Sequence, residues 1–274
     1  MTDNRTNSPV RVAINGAAGR MGRRLVALGT ADSRLAVTAA LERPDHPLLG
    51  QDAGVLAGIA PIGVALTSGL PGNVDAVIDF SIPASALDIC EACIAQRVPL
   101  VLATTGVDEV TEKRIRAAAE VIPLVWAPNM SKAVNLTMEL ARVAAQAFRD
   151  DPGAVDVEIL ERHHRYKKDS PSGTALKFGQ IIAEVMGQSR SCHGREGLVG
   201  ERPRDEIGYH AIRVGDNPGE HTIVFGLLGE TIELTVRASN RDCYALGALA
   251  AARFLAGKPA GAYSMLDVLG IASR

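Results

Sequence analysis

Short apolar runs alternate with amphipathic stretches over the first half of the chain. Val10–Asn15 (VRVAIN) is apolar and rich in β-branched residues, as a strand buried on both faces requires. Arg20–Ala31 follows with Met21, Leu25 and Leu28 at helical spacing. Arg34–Leu41 is a second apolar run, and Val74–Ser81 and Val98–Gly106 are two more that end in polar turns. The spacing predicts helices over Ser85–Arg97 and Val110–Ile122 and a further strand over Pro123–Asn129. Regular β/α alternation implies an α/β fold with a Rossmann-type, doubly wound parallel sheet.

The period changes after residue 132. Ala133–Phe148 reads as a long helix with one apolar face, and 150–156 reads as a turn. In Val155–Arg162, Val155, Val157 and Ile159 share one face and Asp156, Glu158 and Leu160 the other, the signature of a half-buried strand. Ile232, Leu234, Val236 and Ala238 alternate in the same way along Glu230–Ala238, and Gly208–Asp216 and Gly219–Leu228 add strands. A smaller α+β domain therefore begins near residue 132. Cys243–Gly270 reads as helical again, with too little apolar surface to stand alone, so it is expected to return to the first domain. Few helices are left to cover the second sheet, which predicts self-association through it.

Chemistry enters at the end of the first strand. Gly16, Gly19 and Gly22 form G-x-x-G-x-x-G directly before the first helix, and Glu42 and Arg43 close the second strand about 20 residues on. A tight turn, a close backbone approach and a helix N-terminus make a seat for a pyrophosphate. Glu42 suits the diol of a ribose and Arg43 a 2′-phosphate, so NADH and NADPH both remain open. The carboxyl ends of the later strands carry Thr104, Thr105, Ala127 and Asn129, where a doubly wound sheet binds ligands.

A second concentration of polar groups lies in Leu160–Gly179, LERHHRYKKDSPSGTALKFG. The strand over Val155–Arg162 delivers His163 and His164 at its end. Ser170 or Ser172 then caps a helix whose first turn holds Gly173 and Thr174, and the open amides there make a carboxylate cradle. Lys167 and the two histidines surround it with positive charge. A histidine exchanges protons near neutral pH, and a lysine stabilises developing negative charge and can donate a proton. Asp169 is expected to orient a cation or cap the turn. His46, His193, His210 and His221 are isolated in sequence, with no metal-ligand spacing, so no metal is expected.

Composition narrows the class. With 274 residues, 47% hydrophobic and 22% charged, the chain can bury a sizeable core, and its net charge of −2 gives no global attraction to nucleic acid or anionic membranes. No apolar run is long enough to span a bilayer and the N-terminus shows no signal pattern, which predicts a short disordered tail and a cytoplasmic protein. Cys90 and Cys93 form a lone C-x-x-C, read as two small side chains on a buried helix face.

Taken in order, VAINGAAGRMGR, VIDFS, ATTG, APNMS, ERHHRYKKDSPSGTA, GREGLVGER, RVGDNPGEHTIVF and ASNRDCYALGA resemble the 4-hydroxy-tetrahydrodipicolinate (dihydrodipicolinate) reductase family from Val10 to about Leu269. HHRYKKDSPSGTA is the most specific of these motifs. The resemblance implies a homotetramer that reduces a small cyclic dicarboxylate with NADH or NADPH, in the diaminopimelate route to lysine. It implies a dinucleotide-binding domain of residues 1–131 and 243–274 and a substrate-binding and tetramerisation domain of residues 132–242. By motif match, His163 is the general acid/base and Lys167 the proton donor, while His164, Gly173 and Thr174 hold the substrate carboxylates. Gly16, Ala17, Ala18, Gly19, Arg20, Met21, Glu42, Arg43, Ala103, Thr104, Thr105, Ala127, Pro128, Asn129 and Met130 hold the cofactor. Two departures stand out: Ala103 replaces the family's usual glycine in the GTTG turn, and Ser131-Lys132-Ala133-Val134-Asn135 replaces Ser-x-Gly-Val-Asn. Alanine tolerates positive φ less well than glycine.

The competing readings are another two-domain dehydrogenase, acting on aspartate or homoserine, and a nicotinamide-sensing regulator without catalysis. The sensor would keep the glycine turn and Glu42 but would have no use for His163 and Lys167.

Overall fold

The computed structural model describes residues 8–151 and 155–271. The expected N-terminal tail up to residue 7 and the centre of the turn at 150–156 lie outside them. In chain order the elements are β1 (Val10–Asn15), α1 (Arg20–Ala31), β2 (Leu35–Leu41), α2 (Ala53–Leu56), β3 (Leu66–Thr67), β4 (Ala76–Asp79), α3 (Pro83–Gln96), β5 (Leu100–Leu102), α4 (Glu109–Ala117) and β6 (Pro123–Trp126). They continue with α5 (Lys132–Phe148), β7 (Asp156–His163), α6 (Gly173–Met186), β8 (Arg190–His193), β9 (Glu206–Arg213), β10 (Gly219–Leu227) and β11 (Glu230–Ala238). The chain closes with α7 (Asp242–Leu255), β12 (Gly261–Tyr263) and α8 (Met265–Val268). Two compact units result: Met1–Lys132 with Asp242–Arg274, and Ala133–Arg241.

The first unit is built on a seven-stranded sheet of order β12-β6-β5-β4-β1-β2-β3. Every pairing in it is parallel, so no strand can show one wet face. Val12, Ile14, Val77, Ile78 and Leu100 are accordingly fully buried. On one face α1 and α7 contribute Leu25, Val26, Ala248 and Leu249. On the other, α3 and α4 contribute Ala86, Cys90, Cys93 and Ile115. Burial pushes the Cys90 thiol up to about 11 and the Cys93 thiol up further, so both remain neutral core side chains. The strand order reverses between β1 and β4, which opens a crevice beyond their carboxyl ends.

Several elements differ from the sequence expectation. The tail is not helical throughout: Gly257, in the left-handed region at φ 80°, lies just past the end of α7. Gly261–Tyr263 then pairs with Pro123–Val125 as an edge strand. Three residues are too few to display alternation, and backbone pairing alone defines this strand. Residues 44–73, where the sequence pattern predicts no element, hold α2 and β3, organised by Asp52. Its carboxylate caps α2 through the Gly54 and Val55 amides and gathers those of Ile62 and Gly63. The exposed edge strand β8 likewise has no apolar alternation that would predict it.

The second unit has a mixed five-stranded sheet of order β11-β10-β7-β9-β8. β10 runs antiparallel to β11 and β7, while β9 is parallel to β7 and β8. One face packs Val157, Ile159, Ile223 and Phe225 against Val134, Ala141 and Ala145 of α5 and Phe178 and Ile182 of α6. The other face of β7 is polar. There Glu158 accepts from Arg195 at 2.8 Å, Arg202 at 3.0 Å and His210 at 2.7 Å. Burial works against the Glu158 anion, but these donors outweigh it and bring its pKa down to about 2. His210 is thus a hydrogen-bond partner of Glu158 and not an isolated residue.

Close packing of α1 on the glycine turn demands glycine at position 22, where a methyl group would lie 2.1 Å from the Gly16 carbonyl oxygen and 2.6 Å from Ala17 Cα. Gly22→Ala is expected to destabilise the fold by about 1–3 kcal/mol, read from the urea unfolding midpoint. An unchanged midpoint would show that the turn has room to move.

Candidate functional site

The first unit carries a cleft of about 650 Å³ lined by Gly16, Gly19, Glu42, Arg43, His46 and Ser81, among others. Gly16 turns through φ 74°, and a methyl there would stand 3.0 Å from the Phe80 carbonyl oxygen. The Gly16 and Ala17 amides both donate to the Leu41 carbonyl, at 3.0 and 3.1 Å, and the Gly19 amide to Gly16 at 3.0 Å. Ala18 donates to Glu42 Oε1 at 3.2 Å. The amides left at the open end of α1 are therefore those of Arg20, Met21 and Gly22, which have no partner within the helix. A glycine cradle that a side chain would fill, a helix N-terminus and an acceptor at Glu42 fit a dinucleotide. Arg43 is exposed and pairs with Asp45 at 3.3 Å. His46 was not expected here. Its Nδ1 accepts from the Leu48 amide at 3.3 Å, so Nε2 carries the proton.

The predicted cofactor residues after β5 and β6 do not line this cleft. Thr104 is buried, and its hydroxyl donates to Asp79 at 2.5 Å. Asp79 is fully buried and also accepts from Asn15 at 2.6 Å. Burial raises the Asp79 pKa against the hydrogen bonds from Ser81, Thr104 and Asn15. This carboxylate ties the glycine turn after β1 to the turn after β5, and sequence reasoning missed it. The side chains of Ala17, Ala18, Ala127 and Met130 belong to the core, so only their backbone can meet a ligand. Ala103 lies partly buried against the same core, while Thr105 and Pro128 are exposed. The Asn129 side chain accepts from the Ser131 amide at 2.9 Å. Arg97 is the only non-glycine residue with positive φ among the described residues, so Ala103 and Ala133 carry no such strain.

In the second unit, the alternation along β7 carries past Ile159 and puts Glu161 and His163 on the buried face. Glu161 is 2% exposed and its carboxylate is saturated. Oε1 accepts from Arg213 Nη2 at 2.8 Å and the Ser172 amide at 3.0 Å. Oε2 accepts from Arg213 Nη1 at 2.8 Å and His163 Nδ1 at 2.6 Å. Burial would raise its pKa, but Arg213 and His163 hold it below the usual carboxylate range. Burial lowers the His163 pKa, Glu161 opposes this, and Lys167 and Arg213 add to the lowering. His163 Nε2 faces Gly219, where a methyl group would stand 2.9 Å away.

His221 on β10 joins the cluster, although in sequence it looked isolated. Its ring meets His163 edge-on at 5.2 Å between centroids, and its Nε2 lies 3.1 Å from Ser172 Oγ. Burial, followed by the nearby His163, brings its pKa down to about 4. Ser172, the N-cap of α6, also accepts from the Ala175 amide at 3.2 Å. Gly173 and Thr174 are the first two residues of that 14-residue helix, and the Gly173 amide donates to Asp169. Lys167 Nζ pairs with Asp169 at 2.9 Å, which holds the Asp169 carboxyl low. Arg213 Nη2 also donates to the Asp169 carbonyl at 2.6 Å. The His164 amide donates to the Asn217 carbonyl at 2.8 Å, and its Nδ1 is buried without a hydrogen-bond partner. His163, His164, Lys167, Gly173 and Thr174 thus share one neighbourhood. Glu161, Arg213 and His221 complete it and were missed. Glu161 was findable as the E-x-H continuation of the β7 alternation.

A doubly wound sheet with a glycine turn at its switch point, joined to a unit that gathers proton-exchanging groups at a helix N-terminus, defines a two-domain nicotinamide-dependent oxidoreductase. Residues 10–130 match the family profile for dihydrodipicolinate reductase, N-terminus, and residues 133–269 the profile for its C-terminus. The chain belongs to the dihydrodipicolinate reductase family. It is 56% identical to a 4-hydroxy-tetrahydrodipicolinate reductase of Rhodopirellula baltica, over 98% of this chain and 99% of that one. It is 48% identical to one of Alkalilimnicola ehrlichii, over 95% and 99%. A dipicolinate-bound dihydrodipicolinate reductase from Paenisporosarcina sp. TG-14 superposes with TM-score 0.75 at 26% identity, covering 94% of this chain and 98% of its own. An amine dehydrogenase from Mycobacterium smegmatis, at 11% identity and TM-score 0.63, shares the fold.

The buried His221 makes stability depend on pH. Its folded pKa of about 4 lies below its ordinary 6.5, so between these values the unfolded chain binds more protons than the folded one. Stability should fall by up to about 3 kcal/mol as the pH is lowered from about 6.5 to 4. Denaturant titrations of wild type and His221→Asn test this, and the variant should show the flatter profile. Equal slopes would mean that His221 does not titrate as described.

Proposed function

We propose that the chain reduces 4-hydroxy-tetrahydrodipicolinate to tetrahydrodipicolinate with loss of water, in the diaminopimelate route to lysine. The observation that carries this reading is the convergence of His163, Lys167 and the N-terminus of α6 around one anion seat. The planar dicarboxylate dipicolinate on the Paenisporosarcina relative supports the same substrate class. The first unit acts as the dinucleotide domain, with Arg20, Met21 and Glu42 at the phosphates and ribose. The second acts as the substrate domain.

When bound, a nicotinamide would supply the hydride that reduces ring C4, once the 4-hydroxyl has left that carbon as water together with a proton from a neighbouring ring carbon. The α6 amides at Gly173 and Thr174, with His164, hold the substrate carboxylates and fix the ring in place. Lys167 stabilises the negative charge that builds on the ring and donates a proton. To do so it leaves Asp169, and a substrate carboxylate replaces that partner. His163 exchanges its proton through Nε2, since Nδ1 is engaged by Glu161. Both NADH and NADPH serve, because Glu42 accepts from a 2′-hydroxyl and Arg43 can turn from Asp45 to a 2′-phosphate. Among the described residues no helix is long and apolar enough to cross a membrane, and the enzyme acts in the cytoplasm. The polar face of the second sheet joins copies into a homotetramer, which light scattering tests directly; a stable monomer would contradict it.

The defining assay is the loss of NAD(P)H absorbance when the substrate is generated in situ. Lys167→Ala should lower kcat by roughly 10²–10⁴-fold and leave cofactor affinity unchanged. Cofactor binding without turnover in the wild type would favour a sensor, and loss of cofactor binding in the variant would misplace Lys167.

A further inference from the structure

The geometry points to Glu161 and Arg213 as a positioning pair that locks the neutral His163 proton on Nδ1 and leaves Nε2 as the atom that exchanges a proton with substrate. This inference deepens the function proposed above and rests on it for the role of His163. An ionised carboxylate only accepts, so a nitrogen 2.6 Å from Glu161 Oε2 must carry the proton. Arg213 fills one position on each carboxylate oxygen through its planar fork, and the Ser172 amide fills another. The sole acceptor site left is the one His163 uses. The ring therefore has one tautomer and one orientation, with Nε2 turned to the space that Gly219 leaves open.

The same pair holds the other parts of the seat. Ser172 is the cap of α6, so its bond to Glu161 sets where the cradle begins. Arg213 donates to the Asp169 carbonyl in the loop that carries Lys167. One ion pair between β7 and β9 therefore fixes the acid/base ring, the anion seat and the lysine loop together.

The charged and titratable groups around the His163 ring are Glu161 on its own strand, Arg213 on β9, His221 on β10, and Lys167 with Asp169 on the loop. Glu161 favours the imidazolium, and Arg213 and Lys167 oppose it. The two members of the pair thus act with opposite sign, which a purely structural role would not produce. Glu161→Gln places an amide donor beside Nδ1, moves the proton to Nε2 and leaves Arg213 uncompensated. Arg213→Gln leaves Glu161 to His163 and the Ser172 amide.

The test uses the full-length protein labelled with 15N-histidine, with the His163 signals identified by their loss in His163→Gln. The 15N shifts report which ring nitrogen carries the proton, without any need for substrate. In wild type the neutral ring should be protonated on Nδ1. In Glu161→Gln it should be protonated on Nε2 with its titration midpoint about one unit lower, and in Arg213→Gln the midpoint should rise. The pH limb of kcat/KM that vanishes in His163→Gln should move with the midpoint, and Glu161→Gln should lower kcat on the order of 10²–10⁴-fold with cofactor binding intact. A wild-type ring protonated on Nε2 overturns the proposal, as do midpoints that move in the same direction. The wild-type tautomer decides the matter even where a variant fails to fold. An Nδ1 proton in a protein that turns over no dicarboxylate would leave the pair standing and remove the proposed function instead.

Discussion

The buried Glu161 carboxylate organises the functional end of the second unit. Removing a carboxylate from water costs several kcal/mol unless donors replace the lost hydration, so the fold must bring donors to it. They arrive from separate elements: the guanidinium from β9, the amide from the cap of α6, and the imidazole from two residues along β7. Satisfying that one group forces the strand, the helix N-terminus and the neighbouring strand into register. The reactive neighbourhood is a by-product of this satisfaction. The positions of His163, Ser172 and the loop of Lys167 follow from where Glu161 needs its hydrogen bonds.

The first unit uses a related device. Asp79 ends the central strand β4 fully buried and draws donors from Asn15, just before the glycine turn, and from Thr104, in the turn after β5. Glu42 meanwhile accepts from Ala18 inside that glycine turn. In both units a carboxylate next to the functional loops holds them by collecting donors, while the strands supply the rigid frame. Rigid elements with pinned loops are what a reaction requires when reacting atoms must be placed within a few tenths of an ångström.

What was legible in the sequence divides along physical lines. The β/α alternation, the change to period two and the glycine turn are local patterns, and the elements they predict are present. The failures have other causes. β3, β8 and β12 are short or exposed strands defined by backbone pairing, and α2 is set by Asp52, none of which leaves a periodic trace. Arg213 and His221 lie 50 and 58 residues from His163 at the strand end they serve, so only the sheet order β10-β7-β9 brings them there. The Thr104 hydroxyl turns inward to Asp79, a partner that a reading of neighbouring residues could not supply. Glu161 was the avoidable omission. The alternation used for Val157 and Ile159 continues two and four residues further, and a carboxylate on a buried face next to a buried histidine announces a network.

The proposed reaction moves a hydride from a nicotinamide to C4 of a small cyclic dicarboxylate. The most direct measurement is the mass of the product formed from NADPH deuterated at the transferable C4 position, in the presence of substrate generated in situ. The expected product is tetrahydrodipicolinate carrying one deuterium at ring C4, in an amount equal to the NADPH oxidised. Product without the label, or NADPH oxidised with no reduced dicarboxylate formed, would contradict it.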